Sequence, residues 1–249
     1  MNRLEDFTEF KWIRRETRNI DGNSRVSDFI PQRFTHFCKI MNPFLRDWNI
    51  KDKNLVWSKC EPDEELIMNN VEKMTCKQVM DELNLPYTKE ISGWSLHHAL
   101  GSLNLPRYLI FPDEGTMERN IFEETINTLT PFTNETGCYF YFEWLKTVYT
   151  LSQDSDLHAR ELMYHGKLND VTTLYHRGEG FELGSPTYWW PEDKQWCIFT
   201  DYDFDFSIVG GSKEIIDAFL SNDKLECIQV ARDTRVDFDA DKDNQLRKR

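Results

Sequence analysis

Residues 196–208 alternate. Trp196, Ile198, Thr200, Tyr202, Phe204, Phe206 and Ile208 hold the even positions, and Asp201, Asp203, Asp205 and Ser207 fall between the later ones. Period-two alternation marks a β-strand with one packed face and one polar face. A two-residue hairpin loop would exchange odd and even between its arms. Parity here is constant, so the pattern predicts one long bent strand, or a hairpin with an odd loop. Residues 138–145 are apolar on both parities and predict a central strand covered on both faces. Tyr188-Trp189-Trp190-Pro191 reads as a loop leading into the long strand. Gly210-Gly211 reads as the exit from it, into a helix over 212–221 capped by Ser212 and packed through Ile215, Ile216, Phe219 and Leu220. A short strand over 225–230 completes a β-α-β ending, since the connection is long enough for a crossover.

The first half carries helical spacings. Phe7, Phe10, Trp12 and Ile13 suit a short amphipathic helix. Phe34, Phe37, Cys38 and Met41 stand at i, i+3, i+4 and i+7, predicting a helix between Pro31 and Pro43 with His36 at the surface. Leu66, Ile67, Val71 and Met74 make another helical face. Thr75 and Gln78 form a capping box for a further helix, whose buried side is Cys76, Val79, Met80 and Leu83. Ile121, Phe122, Thr125, Ile126 and Leu129 predict a helix over 116–129, capped by Thr116 and closed by Pro131. Residues 152–170 read as loop with a helical turn, 171–176 as a further strand, and the chain from Arg232 as a polar, frayed tail. The fold class expected is α+β: a helical N-terminal half packed with a C-terminal half containing a mixed β-sheet and the β-α-β ending. The whole of 1–249 reads as a single composite domain, mostly helical over 1–130, sheet-containing over 131–232 and tail over 233–249.

Composition narrows the function classes. Hydrophobic residues make up 39% of the chain and aromatic residues 14%, which predicts a folded protein. A formal net charge of −13 excludes nucleic acid and an anionic membrane surface as main partners, and suits a protein partner with a basic surface. No apolar run reaches membrane-spanning length and no secretory h-region is visible, so a soluble, cytoplasmic protein is expected. Six scattered cysteines without a CxxC pair predict free thiols in a reducing compartment.

The candidate chemistry centres on Asp201, Asp203 and Asp205. On one strand these carboxylates would share a face about 6.6–7 Å apart, able to hold a divalent cation with help from another segment, or a cationic partner. The plain alternative is a solvated face whose charge discourages edge pairing. Trp189 and Trp190 are of the types enriched at binding hot spots, or else they plug the rim of the core. His97 and His98 are adjacent and do not face each other on a helix, so they make no metal pair by spacing. Gly210-Gly211-Ser212-Lys213 lacks the spacing of a phosphate-binding loop. Residues 239–244 resemble the opening of an EF-hand loop without its bidentate Glu and read as charged tail. GxSxG and HExxH are absent. No metal-ligand set, cofactor motif or catalytic residue is legible.

The progression Trp-Trp-Pro…Trp…Asp…Gly-Gly-Ser over 185–212, with GCYFYFEW and LVWSKC upstream, resembles a set of uncharacterised bacterial proteins over roughly residues 138–230. The resemblance implies a bacterial cytosolic protein and carries no activity with it. The function expected is therefore a non-enzymatic binding or interaction protein of immunity or regulatory type, with Asp201, Asp203, Asp205, Trp189 and Trp190 as its contact surface. The alternative is a metal-assisted hydrolase or transferase using the aspartate face.

Overall fold

The computed structural model describes residues 1–17, 23–60, 69–133, 135–143, 161–175 and 183–246. Among the described residues eleven strands form two sheets: Asn2–Arg3 (β1), His36–Met41 (β2), Phe44–Asp47 (β3), Val71–Met74 (β4), Leu109–Ile110 (β5), Cys138–Glu143 (β6), Glu161–Gly166 (β7), Tyr188–Pro191 (β8), Cys197–Thr200 (β9), Phe206–Gly211 (β10) and Cys227–Val230 (β11). The large sheet has eight strands in the order β1-β7-β6-β8-β9-β10-β2-β11, and every pairing in it is antiparallel. A second sheet, β4-β3-β5, continues directly from β2 across the short link Asn42-Pro43.

This overturns the expected division into a helical N-terminal half and a sheet-bearing C-terminal half with a mixed sheet. The fold is mostly antiparallel sheet, β2 from the N-terminal half pairs within it between β10 and the edge strand β11, and the eight α-helices among the described residues are scattered along the chain. The physical reason is that both faces of the large sheet are covered. Beneath one face lie Phe10, Trp12, Ile13, Phe29, Ile30 and Phe34 from the N-terminal segment, against Tyr141, Trp190, Phe199, Phe206 and Ile208. Over the other lie Phe122, Ile126 and Leu129 of helix Arg119–Thr133, with Ile215, Ile216 and Phe219 of helix Lys213–Leu220, against Phe140, Trp189, Ile198 and Val209. Strands in such a sheet are continuous apolar runs, which period-two reading cannot orient.

Residues 36–41 show the failure. The i, i+3, i+4, i+7 spacing of Phe34, Phe37, Cys38 and Met41 also fits a six-residue strand buried on both sides, and burial decides for the strand. Residues 196–208 form a hairpin in which Thr200 faces Ser207 and Phe199 faces Ile208. Parity does exchange between its arms: Ile198 and Val209 share one core, while Phe199, Phe206 and Ile208 share the other. Constant alternation was therefore a coincidence of composition. Val71–Met74 is strand rather than helix, 161–166 is strand rather than loop, and Thr172–Tyr175 is helix rather than strand. Leu66, Ile67, Trp144 and Leu145 lie outside the described residues.

Other elements follow local signals. Thr75 accepts from the Gln78 N–H while the Gln78 side chain accepts from the Thr75 N–H, opening helix Cys76–Glu82. Ser212 accepts from the Ile215 N–H at 3.4 Å and opens Lys213–Leu220, which carries the chain from β10 over to β11 across the intervening β2. The helix from Arg119 runs through Pro131 to Thr133, so proline sits in its last turn instead of closing it. Residues 232–246 are not a frayed tail: Thr234, Val236, Asp241 and Gln245 are buried. No described helix is long and apolar enough to cross a membrane.

Gly210 lies within β10, not beyond it. A Cβ there would overlap Ile30 Cγ2 and stand 3.1 Å from Phe34 Cδ2. Gly210→Ala is expected to cost about 1–3 kcal/mol by overpacking, read as a lowered urea midpoint with an unchanged slope. A midpoint equal to that of the wild type would show that the N-terminal segment packs elsewhere.

Candidate functional site

The three aspartates do not form a ladder. They occupy the loop joining β9 to β10, and each has a different environment. Asp201 is half-buried and accepts the Asp203 N–H at 3.0 Å, which holds the turn; Asp203 is exposed. Asp205 is buried and accepts the Gly93 N–H at 2.6 Å, placing its carboxylate at the start of helix Trp94–Leu100. At the base of the loop the Thr200 and Ser207 hydroxyls hydrogen-bond at 2.7 Å.

Around this loop lies a cleft of about 400 Å³. Asp201, Asp203 and Asp205 line it together, and Trp94, Phe204, Phe206 and Phe238 supply aromatic wall. The wall is internally braced. Phe204 stacks on Phe206 with ring centroids 4.6 Å apart, and Phe238 lies 4.6 Å from Trp94. His98 Nε2 donates to the Phe238 carbonyl at 2.8 Å, so the helix that offers Trp94 also holds its aromatic neighbour in place. A side cavity of about 30 Å³, room for about one water, adjoins the cleft at Trp94 and Asp205 and is lined further by His97 and Glu114.

Electrostatics in the cleft are one-sided. Burial pushes the Asp201 carboxyl above its usual range, and the charge of Asp203 adds to that push against the stabilising Asp203 N–H. Partial burial raises Glu114, and the charges of Asp205 and Asp203 raise it further. His97 is lowered by burial and by neighbouring His98. Asp201 and Glu114 are held toward neutrality because negative charge gathers where water is thinned, and His97 because burial and the neighbouring His98 both oppose its positive charge.

Lys39 stands behind the cleft. It lies in β2 between Cys38 and Ile40, is completely buried, donates to the Ile91 carbonyl, and holds Nζ 4.1 Å from the centroid of the Phe206 ring. Burial pulls its pKa down to about 8, against the opposing attraction of Asp205. Burial likewise raises Asp205 against the attraction of Lys39. Desolvation outweighs attraction for both, as expected for a buried pair without direct bidentate contact. The segment Ile91-Ser92-Gly93 bridges them, taking Lys39 on a carbonyl and Asp205 on an N–H.

Trp189 and Trp190 are elsewhere. They sit in β8, not in a loop, and both rings are fully buried, Trp189 against Phe122 and Trp196, Trp190 against Trp12 and Tyr139. His97 bonds Ser102 Oγ through Nδ1 at 3.0 Å, while His98 bonds the Phe238 carbonyl. Asp241, in the segment that resembles an EF-hand opening, accepts from Thr88 at 2.6 Å and from Gln245 at 2.6 Å, a structural role. Among the described residues no three His, Cys, Asp or Glu side chains gather as a metal site. Sequence reasoning missed Lys39, Trp94, Phe204 and Phe238. For Lys39 a signal existed: a lone charge inside a run apolar on both parities.

The family model described as "protein of unknown function (DUF2711)" matches residues 22–240. The chain belongs to the DUF2711 family. The match reaches well N-terminal of the 138–230 stretch that carries the sequence resemblance, and so takes in Lys39, Trp94 and the aspartate loop of this chain. No curated protein and no solved structure matches the chain.

The Lys39–Asp205 pair has a pH signature. In Asp205→Asn the Lys39 charge loses its partner, expected to cost about 1.4 kcal/mol at pH 7, the free energy of neutralising a group one pH unit below its midpoint. Lys39 in the folded wild type loses its proton near pH 8, whereas the unfolded lysine holds it to about 10.4. The folded state thus binds fewer protons through that window, so Lys39's contribution to stability rises with pH, and a neutral amine no longer needs the carboxylate. The cost of Asp205→Asn is expected to shrink toward zero by about pH 10. Urea unfolding of both proteins at the two pH values checks this; a cost independent of pH would rule out the coupling.

Proposed function

We propose that this DUF2711 chain is a non-enzymatic binding protein whose acidic, aromatic-walled cleft takes an organic cation, most simply a guanidinium or ammonium group presented by a basic partner. The observation that carries this reading is the pairing of Asp201, Asp203 and Asp205 with Trp94, Phe204 and Phe238 around one cavity. Asp201 is raised by burial and by Asp203, and Asp205 by burial, so the attraction of an arriving cation stabilises the charged form of each. Aromatic faces attract a desolvated cation by about 0.5–2 kcal/mol each and accept the apolar stem behind it. The cavity is of the size that encloses small ligands or a side chain. Among its lining residues there is no lysine or arginine to satisfy the acids from the protein's own surface. The net charge of −13 steers a basic partner toward the chain. A metal-assisted reaction finds less support, since the three carboxylates face different surroundings and do not converge.

Titration with N-acetylarginine amide and with N-acetyl-hexaarginine amide, followed by tryptophan fluorescence, tests the reading. Saturable binding is expected from both, weakened by at least about tenfold, or about 1.4 kcal/mol, in Asp201→Asn/Asp203→Asn with the melting temperature unchanged. Absence of saturable binding by either probe, or equal binding by the variant, would overturn it.

A further inference from the structure

Lys39 is the one buried cation that shares both a carboxylate and an aromatic ring with the cleft among the described residues. A fully buried lysine in the middle of a strand is costly, and a hydrophobic residue in its place would serve packing better. Its neighbours give it a specific charge environment. Asp205 faces it from the β9–β10 loop, Cys76 from the start of helix Cys76–Glu82, Glu90 from the segment leading to Ile91, and Asp241 from the C-terminal segment. Burial keeps the Cys76 thiol protonated, and Asp241 is engaged by Thr88 and Gln245. Glu90 lies 3.7 Å from Lys89. Asp205 acts on Lys39 most strongly of the four and is the one that also lines the cleft.

We propose that Lys39 is the internal counter-cation of the cleft, and that an incoming organic cation takes over its carboxylate, so that binding is coupled to release of a proton from Lys39. This rests on the cation-binding reading above and adds its regulation. Two positive charges that share Phe206 and Asp205 repel one another. Lys39 has an exit from that conflict: an Nζ–H bond breaks heterolytically, the proton passes to water by way of the cleft, and the electron pair stays on Nζ. The neutral amine still donates an N–H to the Ile91 carbonyl, so the strand and the Gly93 turn keep their places. A guanidinium cannot lose its own proton in this way. The cleft therefore binds a cation more tightly as pH rises through the titration of Lys39, by mass action on that one proton.

The experiment uses the full chain and N-acetylarginine amide, which carries no group titrating between pH 7 and 9. Protons released on saturation at pH 7.5 are counted with an indicator dye in unbuffered solution, and affinity is followed from pH 7 to 9. The wild type is expected to release about half a proton or more per bound cation and to bind about five- to tenfold tighter at pH 9 than at pH 7. Lys39→Met is expected to bind at least as tightly, without proton release and without pH dependence. Should that variant fail to fold, the ε-carbon NMR signal of Lys39 in the wild type answers instead, with its midpoint expected to fall by about one pH unit or more when the probe is bound. Binding without proton release, or a Lys39 midpoint indifferent to the probe, would overturn the coupling and leave the binding reading standing. Absence of binding at every pH would overturn both.

Discussion

Covering both faces of an antiparallel sheet is the constraint on which the rest of the structure depends. Such sheets commonly leave one face to water. Here the N-terminal aromatic segment closes one side and two helices close the other, so β6, β8, β9, β10 and β2 are lined on both sides. That architecture consumes the chain's large aromatics, Trp189, Trp190 and Trp196 among them, as core. It also means that any polar group placed on an interior strand must find a partner inside. Lys39 is the extreme case, and the Ile91 carbonyl, the Phe206 ring and Asp205 are what make it tolerable.

How much of this was legible in the sequence depended on whether the signal was local. Thr75 with Gln78, and Ser212 before Ile215, are caps whose partners lie three residues away, and both were read correctly. The strip of Phe122, Thr125, Ile126 and Leu129 was equally clear because one side of that helix meets a sheet and the other meets water. Strands β2 and β10 were not legible in the same way. Burial on both faces erases the polar parity that would separate helix from strand at Phe37, Cys38 and Met41, or reveal the exchange of faces between Thr200 and Ser207.

The site was half-legible for the same reason. Asp201, Asp203 and Asp205 stood out by composition, but their assignment to a strand face put them in the wrong geometry. In the loop they differ: one holds the turn, one faces solvent, one is buried against Gly93. The groups that complete the cleft come from residues more than a hundred positions upstream, in Trp94 and Lys39, and from Phe238 downstream. Nothing in local spacing joins such residues. Trp189 and Trp190 attracted attention by size alone, and size is also what a deep core requires.

The place of β2 in the sheet bears on how the chain is made. Its neighbours are β10 and β11, so Lys39 pairs across to Ile208 and Ile228, residues synthesised long after it. During translation β2 has neither ladder partner, and its apolar flanks and lone ammonium remain open until the hairpin that carries Asp205 has emerged. Contacts so distant in sequence make folding slow and leave strand edges exposed meanwhile. While β2 waits, the charged lysine at its centre is a gatekeeper: it keeps an otherwise apolar strand of the nascent chain hydrated until the partner that will bury it exists.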